Sequence, residues 1–92
     1  MPKLKFQPSY VAAYKKFTKR DARRVIQIDN AITYFGTDPD HPSLHLERLS
    51  GTALWTIRVN RGTRMFFTWS ESGDTAIFFF VGPHDTYRRI KR

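Results

Sequence analysis

Residues 54–87 read LWTIRVNRGTRMFFTWSESGDTAIFFFVGPHDTY, and this stretch decides the fold. It contains three runs rich in β-branched and aromatic residues, separated by short turns that contain glycine, a pattern typical of strands in a hairpin series. We predict strands at Leu54–Asn60, Arg64–Ser70 and Thr75–Val81. Together they form an antiparallel meander.

The first turn of the meander determines which side chains share a face. If Asn60 opposes Arg64 across a three-residue loop, one face is wholly apolar and the other carries Arg58 and Arg64. A two-residue turn would instead bring Arg58 to the apolar face, where an unpaired charge is strongly unfavourable. We therefore predict the three-residue loop. The apolar face then comprises Trp55, Ile57, Val59, Met65, Phe67 and Trp69.

The third strand is apolar on both faces, which predicts a central position in the sheet. Its Phe79 and the Phe66 of the second strand are expected to floor a basic groove. The free edge of this central strand could pair with a short strand at Lys3–Gln7, which Pro8 terminates.

The segment between these strands predicts two helices. The first runs from Ser9, as N-cap, to Phe17, and the second begins at Thr18 and is capped by Gly36. Apolar residues of the second helix recur every three or four positions, at Val25, Ile28, Ile32 and Phe35. The predicted fold class is therefore α+β: a four-stranded sheet with the helices on one face, forming a single domain over residues 1–92.

Composition narrows the possible functions. The chain has 92 residues and no cysteine, so disulfides and thiolate metal sites are excluded. His41 and His45 have a metal-like spacing, but Pro42 interrupts any helix between them, and we expect no metal or other cofactor. No apolar run is long enough to span a bilayer and no leader is visible, so we expect no membrane association and a cytoplasmic location.

The chain is strongly basic. Sixteen Lys and Arg residues against eight Asp and Glu residues give a net charge of +8. Such a charge attracts polyanions, so nucleic acid is the expected partner class, with an acidic protein as the compatible alternative. Most basic residues after Gly51 are arginines, whose planar donors fit phosphate.

Four short motifs occur in a characteristic order: LERLSG at 46–51, WTIR at 55–58, GTR at 62–64 and GPHDTY at 82–87. In this order and spacing the chain resembles the RelE/ParE superfamily of toxins from bacterial toxin–antitoxin pairs. The resemblance implies one of two activities. RelE-like members cleave mRNA in the ribosomal decoding site, whereas ParE-like members poison DNA gyrase. It also implies a cognate antitoxin as partner.

RNA cleavage explains the residue types at the matching positions. Attack by a ribose 2′-hydroxyl needs a proton acceptor, a proton donor and positive charge around the phosphorane, but no metal. The resemblance places the catalytic residues at Arg58, Arg64, His84 and Tyr87. The arginines would clamp the phosphate, His84 would carry a proton, and Tyr87 would stack on a base or share the proton transfer.

Two positions near this set depart from or only loosely match the family pattern. Thr56 stands where many RNA-cleaving relatives have a second basic residue, and Glu47 lies near the place of a general-base carboxylate in some relatives. Further contacts with RNA are expected from the basic and aromatic residues Arg48, Arg61, Phe66, Arg88 and Arg89.

The sequence thus predicts a toxin that acts as a ribosome-dependent, metal-independent mRNA endonuclease. Two alternatives stay open: a ParE-like inhibitor whose partner is DNA gyrase, and a noncatalytic RNA-binding module. Arg64, His84 and Tyr87 favour the nuclease, because a pure inhibitor would not need them.

Overall fold

The computed structural model of the chain describes residues 1–86. The helices are α1 (Pro8–Thr18) and α2 (Ala22–Thr37), and the strands are β1 (Lys3–Phe6), β2 (Glu47–Arg48), β3 (Trp55–Asn60), β4 (Thr63–Trp69) and β5 (Thr75–Pro83). Short 3-10 turns lie at Pro42–Leu44 and His84–Thr86. The predicted α+β fold is confirmed.

The strands form one five-stranded sheet in the order β1-β5-β4-β3-β2. β1 is parallel to β5, and the other neighbours are antiparallel. The central position of β5 and its pairing with β1 are as predicted. The sheet has one strand more than the four predicted, because the two residues of β2 in the connector pair with β3.

Both helices have N-cap residues that differ from the predicted ones. Pro8, not Ser9, begins α1, because proline lacks an N–H and suits the first turn of a helix. The Ser9 hydroxyl instead donates to the carbonyl of Phe79 at 2.8 Å and ties α1 to β5. Asp21 caps α2 by accepting from the Arg24 N–H at 3.1 Å.

Thr18 and Gly36 lie inside helices rather than at the predicted boundaries. The Thr18 hydroxyl donates to the carbonyl of Tyr14 within α1 at 2.7 Å, which is a local alternative to N-capping. Gly36 is followed by one more helical residue, Thr37. No helix within residues 1–86 has the length and apolar composition needed to cross a membrane.

The core lies between the helices and the apolar face of the sheet. Ile57, Met65 and Phe67 of the meander have no exposed surface, as the predicted face requires. The ring of Phe35 from α2 meets those of Phe67 and Phe78 edge-on, with centroids 5.1 and 5.5 Å apart. Burial of each large side chain stabilises the fold by about 1.5–3 kcal/mol.

The β3–β4 connection corrects one prediction and explains another. Asn60 pairs with Thr63 and not with Arg64, so the turn has two residues and the predicted three-residue loop is wrong. Arg58 nevertheless pairs with Arg64, because a bulge at Val59 inserts one extra residue into β3. The bulge restores the side-chain alternation. The predicted division of the faces is therefore correct although its cause is different.

The bulged turn is held by the side chain of Asn60. Its Oδ1 accepts from the Gly62 N–H at 2.9 Å, and its Nδ2 donates to Oε1 of Gln27 on α2 at 2.7 Å. One amide thus fixes the turn and joins it to the helix layer.

Tyr10 provides a test of the packing. Its hydroxyl is buried without a hydrogen-bond partner in the described part of the chain, and burial, followed by Tyr14 and Asp29, raises its pKa. We expect Tyr10→Phe to raise the free energy of unfolding by about 1 kcal/mol, since an unsatisfied buried hydroxyl is removed. Urea unfolding at pH 7 measures this.

The same substitution should change how the free energy of unfolding depends on pH in alkaline solution. Tyrosine in an unfolded chain ionises at about pH 10, whereas folded Tyr10 keeps its proton to higher pH. The contribution of Tyr10 to the free energy of unfolding therefore falls as pH rises above about 10. We expect Tyr10→Phe to flatten that fall. A destabilised Tyr10→Phe protein with an unaltered alkaline slope would contradict this.

Candidate active site

The face of the sheet that does not carry the core presents the two predicted arginines. Directly paired residues on neighbouring strands point to the same face. One row of pairs contains Glu47, Thr56, Phe66 and Phe80, and the next contains Arg58, Arg64 and Gly82. We call the surface formed by these seven residues the arginine face.

Arg58 and Arg64 oppose each other directly across β3 and β4. Like charges in this position repel. Burial first, and then the charge of Arg58, lower the pKa of Arg64, while Glu47 acts in the opposite direction. Within residues 1–86 the ion pair present is Arg24–Asp21 at 3.3 Å, so neither arginine of the face is neutralised there.

The backbone orients Arg64. Its Nη1 donates to the carbonyl of Asn60 at 3.0 Å and to that of Thr63 at 3.2 Å. Both carbonyls belong to the bulged turn, so the turn that places Arg58 on this face also fixes its neighbour.

Sequence reasoning did not link His45 with Arg58. The Nε2 atom of His45 lies 3.3 Å from Nη1 of Arg58. Because a guanidinium only donates, Nε2 is the acceptor in this contact. No local motif signals this pairing, since the two residues are 13 positions apart and His45 adopts a left-handed backbone conformation with φ 45°.

The backbone around His45 holds the ring at the face. Its N–H donates to the carbonyl of Pro42 at 3.4 Å, closing the 3-10 turn. The preceding Leu44 is buried in the core. An exposed imidazole is thus carried by an anchored loop.

His84 lies at the same end of the sheet as Arg64. Gly82 pairs with Arg64, and His84 follows two residues later, with its N–H donating to the carbonyl of Gly62 at 2.8 Å. Its side chain is exposed. Tyr87, the fourth predicted catalytic residue, lies outside the described residues, as do Arg88 and Arg89.

Gly82 leaves the flank of Arg64 without a cross-strand side chain. A Cβ at this position would lie 2.7 Å from the ring of Phe80. Glycine therefore lets that ring fold over β5 beside the arginine pair.

Three predicted RNA contacts have different placements. Phe66 is fully buried, with its ring 5.9 Å from that of Phe80, so it supports the face from below and offers no ring surface to a base. Arg48 pairs with Trp55 and lies on the opposite face, where its Nε donates to the carbonyl of Thr52 at 2.9 Å. Arg61 is exposed in the β3–β4 turn.

Glu47 and Thr56 form a neighbouring pair on the arginine face. Thr56 is buried, whereas Glu47 is exposed. The carboxylate of Glu47 acts to raise the pKa of Arg64, against the larger effects of burial and Arg58. In the described part of the chain, no group of three or more His, Cys, Asp or Glu side chains could hold a metal ion.

Comparison with solved structures identifies the fold. A YoeB/ParE toxin from Agrobacterium tumefaciens has a TM-score of 0.73 and 25% identity, with 89% of this chain and 98% of that chain covered. A chain of the DinJ–YafQ toxin–antitoxin complex of E. coli has a TM-score of 0.72 and 12% identity, with 92% and 94% covered.

A chain of the YoeB–YefM toxin–antitoxin complex of Staphylococcus aureus has a TM-score of 0.69 and 18% identity, with 91% and 98% covered. No protein-family model and no curated protein matches the sequence. The fold is thus that of small toxins from toxin–antitoxin systems. The resemblance to the RelE/ParE superfamily that the sequence predicts is confirmed at the level of the fold by the neighbour described as a YoeB/ParE toxin.

The opposed arginines generate a prediction about stability. We expect Arg58→Gln to raise the free energy of unfolding by about 0.2–1 kcal/mol at low salt, because it removes a directly opposed like charge. The gain should shrink as salt screens the repulsion. Urea unfolding at low and high ionic strength measures both effects.

Arg23→Gln is the matched control, since Arg23 is exposed on α2 and the substitution removes the same charge elsewhere. It should change stability less than Arg58→Gln. A loss of stability in Arg58→Gln that does not depend on salt would show that Arg58 stabilises the fold, contrary to this account.

Proposed function

We propose that this chain is the toxin of a toxin–antitoxin pair and cleaves mRNA on the ribosome without a metal ion. The observation that carries the proposal is the direct opposition of Arg58 and Arg64 on one face, with no ion pair to either within residues 1–86. An imidazole contacts one of these arginines, and a second lies at the same end of the sheet.

The arginine pair suits a phosphate whose charge increases during the reaction. Two unneutralised guanidinium groups repel each other until an anion lies between them. A phosphodiester carries one negative charge, and the phosphorane formed by 2′-hydroxyl attack carries more. The pair therefore stabilises the transition state more than the bound substrate, as catalysis requires.

The two histidines can divide the proton transfers. The Nε2 of His45 is an acceptor in the contact with Arg58, so it is free to take the 2′-hydroxyl proton once Arg58 turns to a phosphate. His84 gives a proton to the departing 5′-oxygen. The 2′-oxygen bonds to phosphorus as the 5′-oxygen leaves, so the products are a 2′,3′-cyclic phosphate and a 5′-hydroxyl. Tyr87 stacks on a neighbouring base or shares the transfer.

An antitoxin is the second proposed partner. Two of the structural neighbours come from complexes of a toxin with its antitoxin, YoeB with YefM and YafQ with DinJ. The net charge of +8 and the unneutralised arginines fit an acidic, partly disordered segment that folds over the arginine face. Binding there would block the same groups that bind phosphate.

A translation assay tests the activity. Purified protein added to ribosomes translating a defined mRNA should produce cleaved messages, mapped by primer extension. Arg64→Ala should reduce the rate about 10²–10³-fold, as for loss of one charge-stabilising group. Intact messages together with a loss of gyrase supercoiling would contradict the proposal and favour the ParE-like alternative.

A substrate with a better leaving group distinguishes the proposed proton-transfer roles of His45 and His84. We expect His45→Ala and His84→Ala each to slow cleavage about 10²–10⁴-fold. A 5′-phosphorothiolate at the cleaved bond needs no proton donor, so it should restore His84→Ala and leave His45→Ala slow. Rates on the two substrates measure this.

Glu71→Ala is the control for a substitution remote from the arginine face, because Glu71 is exposed in the β4–β5 turn, at the opposite end of β4 from Arg64. It should cleave both substrates at the unsubstituted protein's rate. Rescue of His45→Ala by the sulfur leaving group would show that the roles of the two histidines are exchanged.

A further inference from the structure

A pocket of about 170 Å³ lies between α2, the 3-10 turn at Pro42–Leu44 and β3. We propose that it binds the base of an RNA nucleotide whose phosphate lies on Arg58. The inference rests on the proposed ribonuclease function and adds to it a subsite that selects the base next to the arginine face.

Arg58 connects the pocket with the arginine face. Arg58 lines the pocket, while its backbone position opposes Arg64 and its Nη1 contacts His45. A nucleotide with its phosphate on this guanidinium therefore has its base within reach of the pocket. Among residues 1–86, Arg58 is the charged residue that lines the pocket.

The lining fits a neutral, flat heterocycle. Ala31 and Leu44 are buried and form apolar walls. Asn30, which is exposed on α2, adds an amide that can both donate and accept. Bases on splayed single strands are recognised in this way, with ring contacts on the faces and hydrogen bonds on the edges.

Two further polar groups at the rim retain free hydrogen-bonding capacity. Gln27 uses its Oε1 to accept from Asn60, so its Nε2 hydrogens remain. The Ser43 hydroxyl lies 2.7 Å from Nδ1 of His41, which also accepts the Ser43 N–H at 3.2 Å. The hydroxyl therefore donates to His41, and its oxygen can still accept a hydrogen bond from a base.

The walls are ordered without a ligand. The ring of Tyr34 stacks on that of His41, with centroids 4.4 Å apart and planes at 17°. This stack joins α2 to the loop that carries Ser43, and the Gln27–Asn60 bond joins α2 to the turn. Preorganisation of this kind lowers the entropic cost of binding.

The size of the pocket restricts its ligand. Its volume exceeds the ~30 Å³ share of one water several times over, yet lies below the roughly 300–1,000 Å³ of sites for drug-sized molecules. A single base is in this range. An antitoxin side chain is the competing occupant, but the position of Arg58 favours a group that is covalently joined to a phosphate.

Binding of modified RNA tests the subsite independently of cleavage. The ligands are 2′-O-methyl pentanucleotides, which cannot react, with one base removed at each position in turn. Fluorescence anisotropy at low salt gives their affinities for the full chain. We expect one abasic position to weaken binding about tenfold, as for the loss of a specifically read base.

Asn30→Ala provides the matching change in the protein. It should weaken binding of the intact oligonucleotide about tenfold and remove the penalty at that one abasic position, as a coupled pair requires. Tyr34→Leu should act in the same direction. Thr33→Ala is the control, because Thr33 is exposed on the same helix, does not line the pocket, and bonds to the carbonyl of Asp29.

The outcomes separate this inference from the proposed function. If the effects of Asn30→Ala and of base removal on the binding free energy are additive at every position, the subsite is contradicted. The ribonuclease proposal is unaffected by that result. Failure to bind any of the oligonucleotides contradicts the subsite, whereas the translation assay with ribosomes tests the ribonuclease proposal separately. Unchanged RNA binding by Asn30→Ala together with weaker binding of the cognate antitoxin would assign the pocket to the protein partner.

Discussion

The direct opposition of Arg58 and Arg64 is the constraint on which the site depends. It exists because Val59 is an extra residue in β3, which lets a two-residue turn coexist with both arginines on one face. Without the bulge the same turn would send Arg58 toward the core, where its charge would be uncompensated. The carbonyls of Asn60 and Thr63 then orient the guanidinium of Arg64.

This arrangement leaves two positive charges without an ion pair within residues 1–86, at the expense of stability. Two like charges face each other above a floor that includes the buried ring of Phe66. Acidic side chains that could neutralise them would also occupy the place of the phosphate. The proposed antitoxin would supply the neutralising charge reversibly, so one surface would serve both for attack on RNA and for its inhibition.

The sequence predicted four of the five strands described within residues 1–86, the apolar face and the fold class, because each follows from the alternation of apolar residues along the chain. It did not predict the bulge at Val59. A bulge shifts the alternation of side chains between the two faces by one residue, and no particular residue type marks it. The start of α1 differed from the prediction because the Ser9 hydroxyl bonds to the carbonyl of Phe79 in β5, which is a long-range contact. Arg58 lies on the predicted face of the sheet, directly opposite Arg64. The position of Arg48 on the other face was not predicted, because the sequence does not show that β2 pairs with β3.

The contact between His45 and Arg58 depends on a left-handed backbone conformation and joins residues 13 positions apart, and neither feature has a local sequence signature. The measurement that tests the central claim most directly is a crystal structure of the protein with a short RNA that carries 2′-deoxyribose at the cleaved position. The account predicts one phosphate within hydrogen-bond distance of the guanidinium groups of both Arg58 and Arg64. A bound RNA whose backbone passes elsewhere and leaves both groups without a phosphate would contradict it.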